Sequence, residues 1–221
     1  MKKIVVFGSS NVDIVVDVER MPQPGETVRG KTMCKLAGGK GANQACACGK
    51  LHGQCSFLSA VGCDDSAQLL LDSLEKANVD ARAVLRCEET PTGSAHIQVD
   101  ASGENSIVVV AGANAFCNRS YFEAQKSILL DADYILTQLE TPLEDTYDLI
   151  EEMKAHGKTV ILNPAPAPDE LPERIFDCVS YFTPNETELE KITGMPCDTK
   201  EQIIALGNYM KNNGIKFTTI K

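Results

Sequence analysis

The length, composition and charge of the chain exclude several classes of protein. Its 221 residues, 43% of them hydrophobic, are enough for one domain with a buried core. The formal net charge of −10 opposes contact with phosphate backbones and anionic lipid, so we expect neither nucleic acid nor a membrane as a partner. No apolar run reaches the roughly 20 residues that span a bilayer, and the first residues turn polar too soon for a signal peptide. The sequence therefore predicts a cytoplasmic protein.

Strands and helices are predicted to alternate along most of the chain. Short runs rich in β-branched residues predict strands at 3–8, 55–61, 132–139, 159–164, 179–184 and 216–220. Helical patterns lie between them at 40–52, 65–77, 118–130, 142–156, 186–193 and 199–213. This order predicts an α/β fold of three layers, in which a mostly parallel sheet is flanked by helices on both faces.

Two segments depart from this alternation. Residues 12–36 and 82–110 have the pattern of strands and turns without intervening helices. We expect them to form a small antiparallel β subdomain that stands off the main sheet as a lid over a site. The chain ends at Lys221, in or just after a predicted strand that no helix follows. Residues 1–221 are therefore expected to be one incomplete α/β domain that contains both lid segments.

Polar residues follow four of the predicted strands. In open parallel sheets, ligands bind outside the carboxyl ends of the strands. The residues at these ends are Asn11, Asp13, Gln138, Glu140, Asn163, Asn185 and Glu188. Asn11 and Asp13 are two apart in extended chain, so their side chains leave on the same face. Each residue alone could serve only its own turn, but four marked strand ends together indicate one polar rim that binds a ligand.

A glycine-rich stretch, LAGGKGANQACACGK at residues 36–50, leads into the first predicted helix. Glycines allow the backbone to pass close to a ligand, and a helix start offers unpaired N–H groups to small polar oxygens. The stretch matches neither the Walker loop nor the dinucleotide-binding pattern. An alternative is that Gly38, Gly39 and Gly41 only permit tight packing of the helix beside Ala42 and Ala45.

The segment PNETE at residues 184–188 permits two interpretations. Asn185 as N-cap with Glu188 three residues later is a variant of the capping box, which alone would explain both residues. The same spacing sets an amide and a carboxylate on one face of a helix, where they could hold a hydrated Mg²⁺ ion.

Seven motifs spread over the whole chain resemble, in the family order, those of the ribokinase-like (PfkB) carbohydrate kinases. They are GSSNVDIV, PQPGETVRG, AGGKGANQA, GENSIVVVAGAN, QLETP, LNPAPA and TPNETE. The stretch GGKGANQA matches the first family signature. The resemblance implies an enzyme that transfers the γ-phosphoryl group of ATP to a sugar. The motifs NVD, GENSIVVVAGANA and LNPAPA together imply D-ribose, which would become ribose 5-phosphate.

The resemblance also implies roles for particular residues. Those that would bind the sugar hydroxyls are Asn11, Asp13, Gly38, Gly39, Lys40, Asn43 and Glu140. Ala95 and Ile97, which are apolar lid positions, would close over the sugar. Asn185 would help to place the ATP phosphates, and Glu188 would help to place Mg²⁺ through water.

The second family signature, whose Asp acts as general base, has no match in the sequence, so we assign no catalytic base and expect it beyond Lys221. Most of the adenine pocket and the loop for a monovalent cation, potassium, are expected there too. Because losing a general base costs roughly 10²–10⁴ in rate, the 221 residues alone are expected to be nearly inactive. Alternatives are an inactive sugar-binding fragment or a PfkB-type kinase for another sugar or a nucleoside. By resemblance, two subunits would pair through the lid.

Overall fold

The structure is a computed structural model that describes residues 2–212 and 214–220. The last position of the helix predicted over 199–213 and the chain end at Lys221 lie outside the described residues. Among the described residues, no helix has both the length and the apolar composition that crossing a membrane requires.

The strands and helices follow the predicted alternation. In chain order, the strands are β1 (Lys3–Phe7), β2 (Asn11–Val18), β3 (Gly30–Gly38), β4 (Gln54–Leu58), β5 (Ala60–Gly62), β6 (Leu85–Cys87), β7 (Gly93–Val99), β8 (Asn105–Val110), β9 (Tyr134–Thr137), β10 (Thr159–Leu162), β11 (Tyr181–Phe182) and β12 (Phe217–Thr218). The helices are α1 (Lys40–Lys50), α2 (Asp65–Lys76), α3 (Arg119–Ala124), α4 (Lys126–Asp131), α5 (Leu143–Ala155), α6 (Glu173–Phe176), α7 (Glu186–Thr193) and α8 (Lys200–Asn212). A short 3₁₀ helix, Gly112–Phe116, follows β8.

The main sheet has the strand order β12-β11-β10-β9-β1-β4, and all of its neighbouring strands are parallel. Successive side chains of β1 enter two different cores. Val5 and Phe7 pack with residues of α3 and α5, whereas Val6 packs with residues of α1 and α2. A strand buried on both faces is a continuous apolar run, and the run KIVVF, predicted to be a strand, is of this kind. The three-layer α/β fold is confirmed.

Three elements differ from the predictions. The strand predicted at 55–61 is divided at Ser59, because β5 leaves the main sheet and pairs with β6. The helix predicted at 118–130 is divided at Gln125 into α3 and α4. Helix α6 was not predicted, because four residues are too few to reveal helical periodicity.

Four strands form a second sheet, here called the lid sheet, in the order β3-β2-β7-β8. The expected antiparallel arrangement is wrong for its central pair, because β2 and β7 are parallel. Parallel neighbours need a long crossover, and here the connection runs through α1 and α2. The second lid segment, expected over 82–110, is shorter than expected at its beginning. Leu85–Cys87 pairs with β5 in a separate sheet, and the lid sheet resumes only at Gly93.

Candidate functional site

A cavity of about 740 Å³ lies between the lid sheet and the carboxyl ends of β1 and β9. Eight residues that were predicted to bind a sugar line it: Asn11, Asp13, Gly39, Lys40, Asn43, Ala95, Ile97 and Glu140. Strands β1 and β9 are parallel neighbours, so their carboxyl ends lie side by side. The sheet therefore brings Asn11 and Glu140 to one place although they are far apart in the sequence.

Glu140 acts as a distant cap at the N-terminus of α1. Its Oε2 accepts hydrogen bonds from Ser9 Oγ at 2.5 Å and from the backbone N–H of Lys40 at 3.1 Å. The N–H groups of Gly41 and Ala42 donate to Ser9 Oγ and to the Ser9 carbonyl, at 3.3 and 2.9 Å. The expectation that this helix start offers unpaired N–H groups to a ligand is therefore wrong. The protein's own carboxylate takes that position, where the partial positive charge of the helix start favours it.

The glycines beside the helix start permit close packing of the backbone. A Cβ at Gly41 would lie 2.6 Å from backbone atoms of Gly8 and Ser9, and one at Gly39 would lie 2.7 Å from the backbone nitrogen of Asn11. Gly39 also has a φ of +91°, which residues with a side chain rarely adopt. The alternative interpretation of the stretch, tight packing of α1, therefore holds for these two glycines. The same packing brings the start of α1 to the cavity.

Asp13 is half-buried in the cavity wall. Gly38, which was predicted to bind the sugar, does not line the cavity; a Cβ there would lie 2.2 Å from Asp13 Oδ2, so Gly38 makes room for this carboxylate. Burial raises the pKa of Asp13, the negative charge of Glu140 raises it further, and Lys40 opposes the shift. Lys40 Nζ lies 3.7 Å from Glu140 Oε1. We call Asn11, Asp13, Lys40 and Glu140 the cavity floor, which thus contains two carboxylates and one ammonium group.

Two buried polar residues that sequence reasoning did not assign hold this floor in place. Ser9 is fully buried and binds Glu140, as described above. Asn114 follows β8, is 2% exposed and donates from Nδ2 to Asn11 Oδ1 at 2.7 Å. Both residues lie in motifs that carry the family resemblance, GSSNVDIV and GENSIVVVAGAN. Their roles depend on partners more than 100 positions away, so no local pattern reveals them.

The apolar part of the cavity wall comes from the lid sheet. Ala95 and Ile97 of β7 are joined by Ile107 and Val109 of β8, which sequence reasoning did not assign. Ala95 pairs with Val109 and Ile97 with Ile107, so the four side chains share one face of the sheet. Successive side chains of a strand point to opposite faces, so Ile107 and Val109 could have been identified once the register of β8 with β7 was known. A ligand bound beneath this apolar roof would displace water, which would strengthen the polar contacts around it.

Asn185 and Glu188 lie outside this cavity. Asn185 Oδ1 accepts from the N–H of Glu188 at 2.7 Å, and Glu188 Oε2 accepts from the N–H of Asn185 at 2.8 Å. The capping-box interpretation is therefore confirmed. Within the described part of the chain, no group of three or more His, Cys, Asp or Glu side chains is arranged to hold a metal ion. The role of Glu188 toward Mg²⁺ stays a prediction.

The other two residues of the predicted polar rim, Gln138 and Asn163, lie outside the cavity. Gln138 is fully buried and its Nε2 donates to Gln44 Oε1 at 2.6 Å, which connects the end of β9 to α1. The backbone N–H of Asn163 donates to the carbonyl of Thr137. Neither residue lines the cavity, so the predicted polar rim is divided into a cavity part and a part that connects structural elements.

The comparison with known families decides which kind of protein has this arrangement. Residues 1–221 match the family described as pfkB family carbohydrate kinase. The chain belongs to the PfkB family of carbohydrate kinases. It is thus a member of a family of ATP-dependent sugar kinases, as the motifs predict.

Individual relatives of this PfkB kinase agree with the family assignment. The chain is 36% identical over 219 residues to a ribokinase of Staphylococcus aureus (strain COL), and the match covers 99% of this chain and 72% of the relative. It is 39% identical over 212 residues to a deoxyribokinase of Salmonella typhi, covering 96% and 69%. The solved structure of Arabidopsis thaliana ribokinase complexed with ribose and ATP is similar with a TM-score of 0.91 at 35% identity, covering 100% and 72%. Sequence and fold are those of a ribokinase-type sugar kinase.

Proposed function

We propose that this PfkB kinase binds D-ribose in the cavity beneath the lid sheet and transfers the γ-phosphoryl group of ATP to it, which gives ribose 5-phosphate. The observation that carries the proposal is the convergence of Asn11, Asp13 and Glu140 on one cavity with an apolar roof. Support comes from the likeness to ribokinases, of which the one from A. thaliana is complexed with ribose and ATP. The proposal includes a cytoplasmic location, where ATP is available.

The floor of the cavity suits a polyol. The carboxylates of Asp13 and Glu140 can only accept hydrogen bonds, whereas the ammonium group of Lys40 can only donate them. Glu140 Oε2 already accepts from Ser9 and from the start of α1, so Oε1, which lies 3.7 Å from Lys40 Nζ, is the atom that would accept from a sugar hydroxyl. A hydroxyl can bind both kinds of group. A ligand that lacks a hydroxyl would leave a buried partner unpaired, which costs about 1–3 kcal/mol.

The remaining predicted residues complete the sugar site in this proposal. Asn43 is exposed at the cavity mouth and would donate or accept with its amide. Gly39 has no side chain, so its backbone can approach the sugar, and Gly38 contributes only by making room for Asp13. Ala95 and Ile97 would pack on the C–H groups of the sugar and exclude water, which protects the phosphoryl group from hydrolysis during transfer.

We assign the phosphate side of the reaction to the start of α7. The capping box uses Asn185 Oδ1 and Glu188 Oε2, so Asn185 Nδ2 and Glu188 Oε1 remain to bind an ATP phosphate and a water molecule of Mg²⁺. Bound Mg²⁺ would neutralise the charge on the phosphates. Residues 1–221 contain no match to the family's general base or potassium loop, so the proposal assigns neither role to them.

Pairing of two subunits through the lid sheet is also part of the proposal. On the face away from the cavity, β3 and β8 expose a patch of apolar side chains: Met33, Val108 and Val110 are between 48% and 64% exposed. A second copy would cover this patch. Sedimentation velocity is expected to show a dimer, and Val108→Asp is expected to dissociate it. A monomer for the unchanged chain at high micromolar concentration would contradict the pairing.

Isothermal titration with D-ribose tests the substrate. We expect binding to the 221-residue chain, and binding of 2-deoxy-D-ribose that is at least about tenfold weaker. Asp13→Asn should weaken the binding, whereas Asp17→Asn on the same strand, outside the cavity, should not. Equal binding of the deoxy sugar, which the likeness to a deoxyribokinase raises as an alternative, would reject D-ribose as the preferred sugar. Tighter binding of fructose or of a nucleoside than of D-ribose would show that a free pentose is not the substrate.

A further inference from the structure

Asn114 is a buried polar residue in the cavity wall whose role neither the motifs nor the comparisons assign. It lies in the 3₁₀ helix after β8 and lines the cavity with a side chain that is 2% exposed. We propose that Asn114 is a positioning residue for sugar recognition: it holds the side-chain amide of Asn11 in the orientation that presents N–H donors to the cavity. This inference rests on the proposed function, because it concerns the same site.

The orientation of the Asn114 amide is determined by backbone groups of Ser10. The N–H of Ser10 donates to Asn114 Oδ1 at 2.8 Å, and Asn114 Nδ2 donates to the Ser10 carbonyl at 3.2 Å. A backbone N–H can only donate and a carbonyl can only accept. Turning the Asn114 amide by 180° would therefore lose both hydrogen bonds. The positions of the oxygen and the nitrogen of Asn114 are therefore determined by its two backbone partners.

The orientation of Asn11 follows from that of Asn114. Asn114 Nδ2 also donates to Asn11 Oδ1 at 2.7 Å. If Asn11 were turned over, two NH₂ groups would face each other at that distance, and a hydrogen bond between buried groups would be replaced by repulsion. Asn11 itself is 3% exposed, so water cannot compensate for such a loss. The oxygen of Asn11 is thus used inside the protein, and its NH₂ group is what remains for a ligand.

Gly93 keeps this pair of amides together. It is the first residue of β7 and lies opposite Asn11 in the lid sheet. A Cβ at Gly93 would lie 2.3 Å from Asn114 Nδ2 and 2.4 Å from Asn11 Oδ1. Bare backbone therefore packs directly against the hydrogen bond, and a side chain at position 93 would force the two amides apart.

The consequence for a ligand is a defined pattern of donors and acceptors. Asn11 offers only N–H donors, whereas Asp13, two residues later on the same face of β2, offers only acceptor oxygens when ionised. A single ligand group that bridges them must accept from Asn11 and donate to Asp13. A hydroxyl does both, whereas a carbonyl or ether oxygen cannot donate. By fixing Asn11, Asn114 thus selects for hydroxyl groups without having to touch them.

A double-mutant cycle measured by isothermal titration with D-ribose tests the inference. The four proteins are the unchanged chain, Asn114→Ala, Asn11→Ala and the double variant. We expect Asn114→Ala to weaken binding about tenfold in the unchanged chain but less than about twofold when residue 11 is already alanine, because its effect passes through Asn11. An equal loss in both backgrounds would overturn the inference, since Asn114 would then act on the sugar directly or on the whole fold.

A second measurement needs no sugar. Side-chain ¹⁵N relaxation of Asn11, assigned by the loss of its signal in Asn11→Ala, should report a rigid amide in the unchanged chain and a mobile one in Asn114→Ala. Asn114→Asp keeps an acceptor for the N–H of Ser10 but replaces the donor by an acceptor oxygen, so the Asn11 amide should turn over to donate to it, which changes the chemical shift of its NH₂ group. An Asn11 amide equally rigid in all variants overturns the inference. If the amide responds but D-ribose does not bind, only the proposed function fails.

Discussion

Helices α1 and α7 both begin at the carboxyl edge of the main sheet. The backbone N–H groups of their first turns, however, find hydrogen-bond acceptors in different ways. At α7, Asn185 and Glu188 satisfy each other's backbone N–H groups within four residues. At α1, the N-cap is Gly39, which has no side chain, and the N–H groups are satisfied by Ser9 and by Glu140.

The difference has a structural consequence. A local cap stabilises one helix and constrains little else. A cap made by Ser9 and Glu140 ties the ends of β1 and β9 to α1, so three elements meet at fixed positions. Such a point of convergence is where a ligand can be bound by several parts of the chain at once. The two helix starts therefore differ in what mutations at each should change. Mutations at α1 should change sugar binding, whereas mutations at α7 should change stability or Mg²⁺–ATP binding but not sugar binding.

Glu140→Ala is expected to have the largest effect. It removes the acceptor for Ser9 Oγ and for the N–H of Lys40, and buried donors left unpaired cost about 1–3 kcal/mol of unfolding free energy. It also removes the proposed acceptor for the sugar, so D-ribose affinity should fall by at least about 100-fold. Chemical denaturation and isothermal titration measure the two effects. Glu144→Ala, which removes an exposed carboxylate on α5, is the control and should change neither quantity substantially.

An unchanged unfolding free energy for Glu140→Ala would show that the hydrogen bonds of Glu140 to Ser9 and Lys40 do not stabilise the fold. Unchanged affinity for D-ribose would separate the cap from sugar binding, and the comparison between the two helix starts would then fail.

Gly41→Ala should have the next largest effect. Its Cβ would lie 2.6 Å from the backbone of Gly8 and Ser9, so α1 must move away from the end of β1, at a cost of about 1–3 kcal/mol in unfolding free energy. D-ribose affinity should fall with it, because α1 carries Lys40 and Asn43. Gly207→Ala is a matched control in the interior of α8, where, apart from its neighbours in the helix, no atom of the described residues lies within 4 Å of the added Cβ. We expect it to stabilise the protein by about 0.5–1 kcal/mol, because alanine is the better helix former. A destabilising Gly207→Ala of equal size would mean that close packing is not what distinguishes Gly41.

The raised pKa of Asp13 predicts a pH dependence of sugar binding. Burial and the charge of Glu140 favour the neutral form and raise the pKa of Asp13. As the pH falls, D-ribose affinity should therefore decline before an ordinary aspartate would lose its charge. Titrations from pH 7 downwards should give a loss of about tenfold that is absent in Asp13→Asn.

The same shift makes a prediction about stability. The folded state binds the Asp13 proton more tightly than the unfolded state, so this contribution to folding is present at low pH and is lost as the pH rises through the raised pKa. At neutral pH, Asp13→Asn should therefore raise the unfolding free energy while it weakens sugar binding. Asp17→Asn, on the same strand but outside the cavity, is the control. Lower stability of Asp13→Asn at neutral pH would contradict the assigned cause of the shift.

The sequence predicts local features of this molecule better than distant ones. The strand formed by KIVVF and the Asn185 cap depend on neighbouring residues only, and both are found as predicted. The family resemblance also identified eight of the eighteen residues that line the cavity, among them the polar ones on β2, α1 and the end of β9. The parallel pairing of β2 with β7 was missed, because its register depends on two segments about 80 positions apart. Ser9 and Asn114 were missed for the same reason, since the partners that give them a role lie more than 100 residues away.

The helix start at α7 provides the smallest and most discriminating prediction. Asn185→Ala removes the side-chain acceptor for the N–H of Glu188 and should lower the unfolding free energy by about 1 kcal/mol without changing D-ribose affinity, because the cap lies outside the cavity. A loss of affinity in this variant would show that α7 shapes the sugar site after all.

Glu188→Gln separates the two roles that one residue has been given. Glutamine retains an oxygen that can accept from the N–H of Asn185, so the cap should survive and the unfolding free energy should stay within about 0.5 kcal/mol. The negative charge is lost, however, and a neutral amide binds the water shell of Mg²⁺ less strongly. Titration with ATP in the presence of Mg²⁺ should then show weaker binding for Glu188→Gln, while Glu186→Gln in the same turn, which lies outside the capping box, should not. If both variants bind Mg²⁺ and ATP as the unchanged chain does, Glu188 serves only the helix, and the phosphate side of the reaction must be sought elsewhere on the sheet edge.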